Sequence, residues 1–359
     1  MIGNLDYIRE IFGIDNSSIQ IETLQSGHIN DTFLVTDKKD DKFIVQKLNS
    51  AVFKNAEAVI ANKVLVSAHL QANYKKTNSP YQAVTYLKTA QDQYVFKHEN
   101  AFWNVMRFIP NALTIEIAES SKLAFEAGKL YGDFIVNTET ISSEAITETL
   151  KDFHSVPWRF SQFETALKQA NFNRKEQTAD WILFAKNHQL AMCKLATLQT
   201  ANHFPTRITH NDAKLSNILF DENHNGLAVI DLDTVMPGLV HYDFGDSVRS
   251  ICATATEDEI DLNKIEINLE LYAAYCEGFA VKTKAILTSQ EIAYLPLGIQ
   301  TIIYIMGLRF LTDFLNNDTY YKTAYPTHNL DRAANQFTLL QSVFDNLDAI
   351  KKITKTQFT

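Results

Sequence analysis

Glycine is scarce in this 359-residue chain, with 11, and proline scarcer, with 7. With a hydrophobic content of 46%, these counts exclude collagen-like, linker-dominated and disordered readings. Cysteine is nearly absent. Cys193, Cys252 and Cys276 are odd in number and far apart, which fits neither a disulfide framework nor a metal-ligand spacing; buried thiols in a reducing compartment are expected. No block of five or six basic residues occurs, and 33 basic against 42 acidic residues give a net charge of −9. A nucleic-acid or anionic-membrane surface is therefore not expected. The first ten residues lack the basic and apolar regions of a secretory signal. The one long apolar stretch, Tyr294 to Leu311, is interrupted by Pro296 and Gln300 and closes on Arg309, the pattern of a core helix rather than a membrane span. The expectation is a cytoplasmic protein.

What is present changes character near Pro110. Before it, short runs alternate apolar and polar residues, the period of strands. Strands are expected at Ser18 to Leu24, Thr32 to Thr36, Lys42 to Leu48, Gln82 to Lys88 and Gln93 to Lys97. One helix interrupts them, beginning after Asn49-Ser50 and turning Phe53, Ala56, Ile60, Val64 and Leu65 inward. From about residue 112 the spacing is mostly helical. This order predicts an α+β, two-lobed kinase-like fold: a small antiparallel-sheet lobe over 1–107 and a mostly helical lobe over 108–359. Within the second lobe, Asn217 to Phe220 and Leu227 to Asp231 flank a turn ending in Asn225-Gly226 and read as a β-hairpin.

His210-Asn211-Asp212-Ala213-Lys214-Leu215-Ser216-Asn217 has the form H-x-D-x-x-x-x-N of a kinase catalytic loop. In phosphoryl transfer such an Asp orients the acceptor hydroxyl and takes its proton, and the Asn binds metal. Asp212 is the candidate base. The hairpin brings Asn217 and Asp231 to one open end, where an amide oxygen and a carboxylate suit Mg²⁺, with Asp233 as a second acid. Lys214 is a candidate for the γ-phosphate. A literal Asp243-Phe244-Gly245 lies twelve residues past that open end with no strand before it. Its carboxylate is expected to accept backbone N–H groups of the catalytic loop instead of holding metal.

In the first lobe, Lys47 shares a strand face with Phe43 and Val45, the face expected to cover the phosphates of ATP, and Glu57 is its local partner acid. Ser26-Gly27-His28-Ile29-Asn30-Asp31 joins the first two strands with a single glycine, which leaves His28 and Asn30 as side-chain contacts. Arg107-Phe108-Ile109-Pro110 is the expected hinge, its backbone facing the adenine edge.

Three of these segments carry a resemblance. Gly27 to Thr32, His210 to Asn217 and Val229 to Gly238 resemble the N-acetylhexosamine 1-kinases, a family within the aminoglycoside phosphotransferase and choline kinase superfamily. Similarity continues through Asp243-Phe244-Gly245-Asp246, Arg309 to Asp313 and His328-Asn329-Leu330. The resemblance implies transfer of the ATP γ-phosphate to the anomeric hydroxyl of N-acetylglucosamine or N-acetylgalactosamine, with Asp212 as base and Asn217 and Asp231 on Mg²⁺. It implies His28, Asp212, Arg309 and Tyr320 at the sugar. Two alternatives stand beside it: a kinase of an aminoglycoside or amino alcohol, its cation met by Glu257 to Asp261, and a non-catalytic binding module. A protein kinase is disfavoured, because no Ala-Pro-Glu follows Asp231.

Overall fold

The computed structural model describes residues 2–14, 20–24 and 29–359, with side chains from Tyr7 onward. Helix α1 (Ile2–Ile11) precedes strands β1 (Gln20–Leu24), β2 (Asp31–Thr36) and β3 (Lys42–Leu48), then helix α2 (Ala56–Thr77), then β4 (Phe96–His98) and β5 (Ala101–Arg107). The strands form one antiparallel sheet in the order β1-β2-β3-β5-β4. Strand alternation divides its side chains between two faces. Phe33, Val35, Phe43, Val45, Trp103 and Val105 turn to one face, where Ile8, Phe12 and Ile14 from α1 and the turn after it cover them. The opposite face carries Leu48, packed with Phe53, Ala56, Val59 and Ile60 at the start of α2.

Two sequence expectations shift here. The ladder neighbour of β3 is β5, while Gln82 to Lys88 makes only single bridges, Gln82 to Ala228 and Tyr86 to Met106. Buried Asn104 hides β5 from an apolar pattern; its Nδ2 donates to Gln46 Oε1 rather than to water. Helix α2 starts at Ala56, capped by the Asn55 side chain, and Leu65 faces solvent.

The remainder is built on β6 (Leu113–Thr114), α3 (Ser121–Thr138), α4 (Val156–Gln169), α5 (Phe172–Gln177), α6 (Ala179–Met192), α7 (Lys194–Thr200) and β7 (Arg207–Thr209). The hairpin β8 (Ile218–Phe220) and β9 (Gly226–Val229) follows, then β10 (Met236–Gly238), which pairs with β7. Helices α8 (Val240–Ile251), α9 (Leu269–Thr283), α10 (Ser289–Leu315), α11 (His328–Asp345) and α12 (Leu347–Phe358) complete the chain. The α10 helix is long and apolar enough to cross a membrane, yet it is mostly buried, against α8, α11 and α4. A capping box of Thr288 and Glu291 starts it. Cys252 and Cys276 are buried and Cys193 half-buried, all as free thiols.

Where α8 crosses α10, backbone meets backbone. A Cβ on Gly245 would collide with the Gly298 carbonyl, and one on Gly298 with the carbonyl of His241. The glycine of Asp243-Phe244-Gly245 is thus a packing residue. His241, fully buried beside this crossing, donates from Nε2 to the Glu291 carbonyl at 3.1 Å, and its Nδ1 has no partner among the described residues. Burial, against the pull of Glu291, lowers its pKa to about 4. An unfolded histidine takes its proton near pH 6.5, so this contribution to stability is complete above that pH and is lost as pH falls toward 4. The loss approaches about 1.4 kcal/mol per pH unit in that window. Urea unfolding between pH 7.5 and 5 should therefore show a shallower pH dependence in His241→Leu than in the wild type. Identical slopes would mean that the buried imidazole accepts a proton without unfolding.

Candidate active site

The hairpin brings its two polar ends together as its register requires. Ile218 pairs with Val229, and the Ile230 amide donates to the Asn217 carbonyl at 2.9 Å, so Asn217 and Asp231 leave the same end. Asp231 adopts a left-handed backbone with φ 59°, which Asp tolerates better than bulkier residues. Beside it, the loop from His210 is clamped by Asp243. One carboxylate oxygen accepts the His210 amide at 2.7 Å and the other the Asn211 amide at 2.7 Å. The literal Asp-Phe-Gly carboxylate therefore holds the loop, as its position in the sequence suggests. The His210 ring is held by Nε2 at 2.8 Å from the Ile230 carbonyl and by Nδ1 accepting the Asp212 amide at 3.3 Å. Those partners place its proton on Nε2.

Asp212 is oriented by two donors. Its Oδ2 lies 3.1 Å from the Lys214 ammonium and accepts from Asn217 Nδ2 at 2.9 Å. Burial alone would raise the carboxyl's pKa, but Lys214 and Asn217 outweigh it and hold the group at about 2. Asp212 is therefore a carboxylate at neutral pH. For Lys214 the balance also overcomes burial, and Asp212 and Asp231 keep the ammonium well above its ordinary range. With Asn217 Nδ2 committed to Asp212, its Oδ1 has no protein donor among the described residues. The Asp231 carboxylate has no hydrogen-bond partner among them either, although solvent reaches it. Crowding by protein and the neighbouring Asp233 raise its pKa to about 7, against the pull of Lys214. An unpaired carboxylate next to a free amide oxygen fits a hard divalent cation such as Mg²⁺, which takes one or two protein ligands and fills the rest with phosphate and water.

Asp233 does not join that pair. Its Oδ1 accepts from the ammonium of Lys63 on α2, and its Oδ2 accepts from Asn30 and, at 3.2 Å, from Gln46. Both oxygens are occupied by protein donors, which corrects its expected role as a metal ligand. The expected Lys47–Glu57 pair is corrected too. Lys47 shares its face with Phe43 and Val45, as the alternation requires, but α1 occupies that side of the sheet. The Lys47 ammonium sits 3.5 Å from Asp31, partly exposed, and Glu57 is exposed in the first turn of α2. Gln46 faces the cleft instead. Arg107 follows the same rule, lying exposed on the outer side with its guanidinium over the Phe43 ring. The amides of Arg107 and Phe108 already donate to the carbonyls of Thr85 and Lys42 at 2.8 and 3.0 Å, so neither is free for an adenine edge. Asn30 reaches Asp233 rather than Arg309, and His28 lies outside the described residues.

On the other side of Asp212, Arg309 projects from α10 among three rings. Its guanidinium carbon is 5.5 Å from the centre of Phe153, 5.9 Å from Tyr320 and 5.5 Å from Tyr321. No carboxylate pairs with it among the described residues. Burial opposes its charge, but the tyrosines and Asp212 outweigh this. Tyr320 and Tyr321 are presented by Asp313, one turn along α10, which accepts the Tyr320 and Tyr321 amides at 2.8 and 2.9 Å. Residues that pattern reading missed complete the wall. Arg159 donates to the Phe153 carbonyl at 2.9 and 3.1 Å, and half-buried His154 bonds the Asn211 carbonyl at 3.1 Å. Burial, then Arg309 and Arg159, drives the His154 pKa down to about 3, so it is neutral. Only Asp313 had a sequence signal, its place in the Arg309 to Asp313 segment.

With this geometry in view, comparison with known proteins is decisive at one level. The sequence profile of the phosphotransferase enzyme family, APH, matches residues 20–279. The chain belongs to this family. Solved structures share the fold across nearly the whole chain. An aminoglycoside phosphotransferase from Alicyclobacillus acidocaldarius is 11% identical with a TM-score of 0.65, covering 97% of this chain and 96% of that one. A choline kinase from Cryptosporidium parvum is 14% identical with a TM-score of 0.58 and full coverage of both chains. An amicoumacin kinase solved with AMP-PNP and Ca²⁺ is 12% identical, with a TM-score of 0.60, covering 94% and 92%. The kinase-like fold of an antiparallel five-stranded sheet beside a mostly helical part is thus the family's. Within it, the two acids at issue separate by experiment. Asp231→Asn should lose Mg²⁺-dependent nucleotide binding and keep its melting temperature. Asp243→Asn should lower unfolding free energy by about 1–3 kcal/mol, because a buried loop amide loses its acceptor. The opposite pattern in calorimetry and thermal melts would make the Asp-Phe-Gly carboxylate the metal ligand.

Proposed function

We propose that this protein is an ATP-dependent kinase that phosphorylates the anomeric hydroxyl of an N-acetylhexosamine. The observation that carries the acceptor class is Arg309, a guanidinium with no carboxylate partner among the described residues, set among aromatic rings beside Asp212. A planar donor suits hydroxyl and carbonyl oxygens, and the rings suit the apolar face of a sugar. A cationic acceptor is poorly served by a wall containing both Arg159 and Arg309. The acids that might have met such a cation are engaged: Glu257 by Arg249 at 2.6 Å, Asp258 by Arg332 at 2.5 Å and Glu259 by Lys264 at 3.3 Å. The finer assignment to N-acetylhexosamines rests on the motif resemblance, including Arg309 and Tyr320.

In this reading Asp212 does the positioning. Lys214 and Asn217 hold one of its oxygens and leave the other to accept the acceptor's hydroxyl proton. A carboxylate of low pKa is a weak base, but phosphoryl transfer through a loose transition state asks chiefly for orientation and charge compensation. Mg²⁺, held by Asn217 and Asp231, would supply neutralisation of the phosphate oxygens. Lys214 adds a point charge beside Asp212.

Asp212→Asn should lower kcat by about 10² to 10⁴-fold with nucleotide affinity nearly unchanged. In an ADP-release assay, N-acetylglucosamine or N-acetylgalactosamine should exceed glucose and galactose in kcat/KM, since a site built to hydrogen-bond an acetamide rejects an analogue lacking it. The product should be acid-labile and should no longer reduce copper reagents. Equal turnover of glucose, preference for an aminoglycoside, or a reducing product would each overturn the acceptor assignment.

A further inference from the structure

The usual kinase pairing of a strand lysine with a helix acid is exchanged in this chain. At the inward position of β3 stands neutral Gln46, and opposite it, on α2, stands Lys63. Their side chains meet with Lys63 Nζ 2.7 Å from Gln46 Oε1, so the polar contact survives while the ammonium comes from the helix. We propose that Lys63 is the residue that holds the nucleotide phosphates, delivered from α2 instead of from the sheet. This inference rests on the ATP-dependent reading above and is independent of the acceptor.

Three observations support it. An ammonium has three N–H donors; Lys63 directs one to Gln46 and one to Asp233, and its Nζ lies over the Tyr86 ring, 5.7 Å from the ring centre, so the third has no oxygen or nitrogen acceptor among the described residues. The network around it is oriented for that charge: Gln46 Oε1 also accepts from Asn104 at 3.2 Å, while Gln46 Nε2 donates to Asp233. The neighbouring residue anchors the helix. Asn62 donates to the carbonyls of Thr147 at 2.7 Å and Val235 at 3.1 Å and accepts the Thr147 amide at 3.0 Å, so α2 is tied to the segment that carries Asp231 and Asp233. Lys63 is consequently placed by direct contact with Asp233, two residues along the chain from the metal-ligand candidate Asp231. The alternatives are engaged elsewhere, Lys47 on the outer face over Trp103 at 6.0 Å and Lys214 on Asp212.

The test uses the full chain and the non-hydrolysable analogue AMP-PNP, titrated calorimetrically in EDTA and again in Mg²⁺. Lys63→Met alone would leave Asp233 buried without its counter-ion, so the comparison is between Asp233→Asn and Asp233→Asn/Lys63→Met, each checked for folding by circular dichroism. The double variant should bind AMP-PNP in EDTA at least about tenfold more weakly than Asp233→Asn, the scale of one charge-assisted hydrogen bond. Lys47→Met should bind as the wild type does. Equal affinity of the two Asp233 variants, or loss of binding in Lys47→Met, would overturn the role of Lys63 alone. A wild-type protein that binds no AMP-PNP under either condition would overturn the ATP-dependent reading and this role with it.

Discussion

The grip of the Asp243 carboxylate on two consecutive backbone amides is the contact on which the rest of the site depends. A carboxylate bound by backbone N–H groups makes short, directional, charge-assisted bonds, and here it fixes the two residues immediately before Asp212. The carboxylate is itself fixed, because α8 lies against α10 with glycines at the crossing. The position of Asp212 is in this way referred to the largest hydrophobic core of the molecule. Flexible loops seldom offer that precision, and phosphoryl transfer requires it.

A second constraint joins the sheet to the helical part. The Lys63–Asp233 pair is nearly inaccessible to solvent, with side chains 1% and 5% exposed. Buried ion pairs are weak sources of net stability, since desolvation offsets their attraction, but separating one is costly. Gln46 and Asn30 donate to the Asp233 carboxylate, and Asn104 donates to the Gln46 oxygen that also accepts from Lys63. Such a network specifies one docking of α2 against the hairpin segment. It also leaves Asp231 as the one acid of the two with no hydrogen-bond partner among the described residues.

The acceptor side follows a different physical logic. Cationic and aromatic groups surround Asp212, and the nearby acids are neutralised in surface and half-buried pairs. Relatives of the same fold are described as acting on aminoglycosides and choline, so fold alone leaves the acceptor open. In the proposed reading, charge and shape at the wall formed by Arg309, Tyr320 and Tyr321 would distinguish acceptors.

Sequence spacing by itself determined that Asp212, Asn217 and Asp231 come together. The interval from Asp212 to Asn217 and the Asn225-Gly226 turn are local features, and a hairpin of that register can only bring Asn217 and Asp231 to one end. The same locality made the structural role of Asp243 legible, since no strand precedes it. Tertiary structure decided which side chains of β3 and α2 meet beside that cluster. Alternation along β3 sorts Lys47 from Gln46 but does not say which face α1 will cover, so pattern alone does not separate the outer face from the cleft. Lys63 and Asp233 are 170 residues apart, and no periodicity relates them. A polar residue that faces a partner so distant in the chain looks, in sequence, like any solvated lysine on a helix; only packing removes the water and gives it an acid instead.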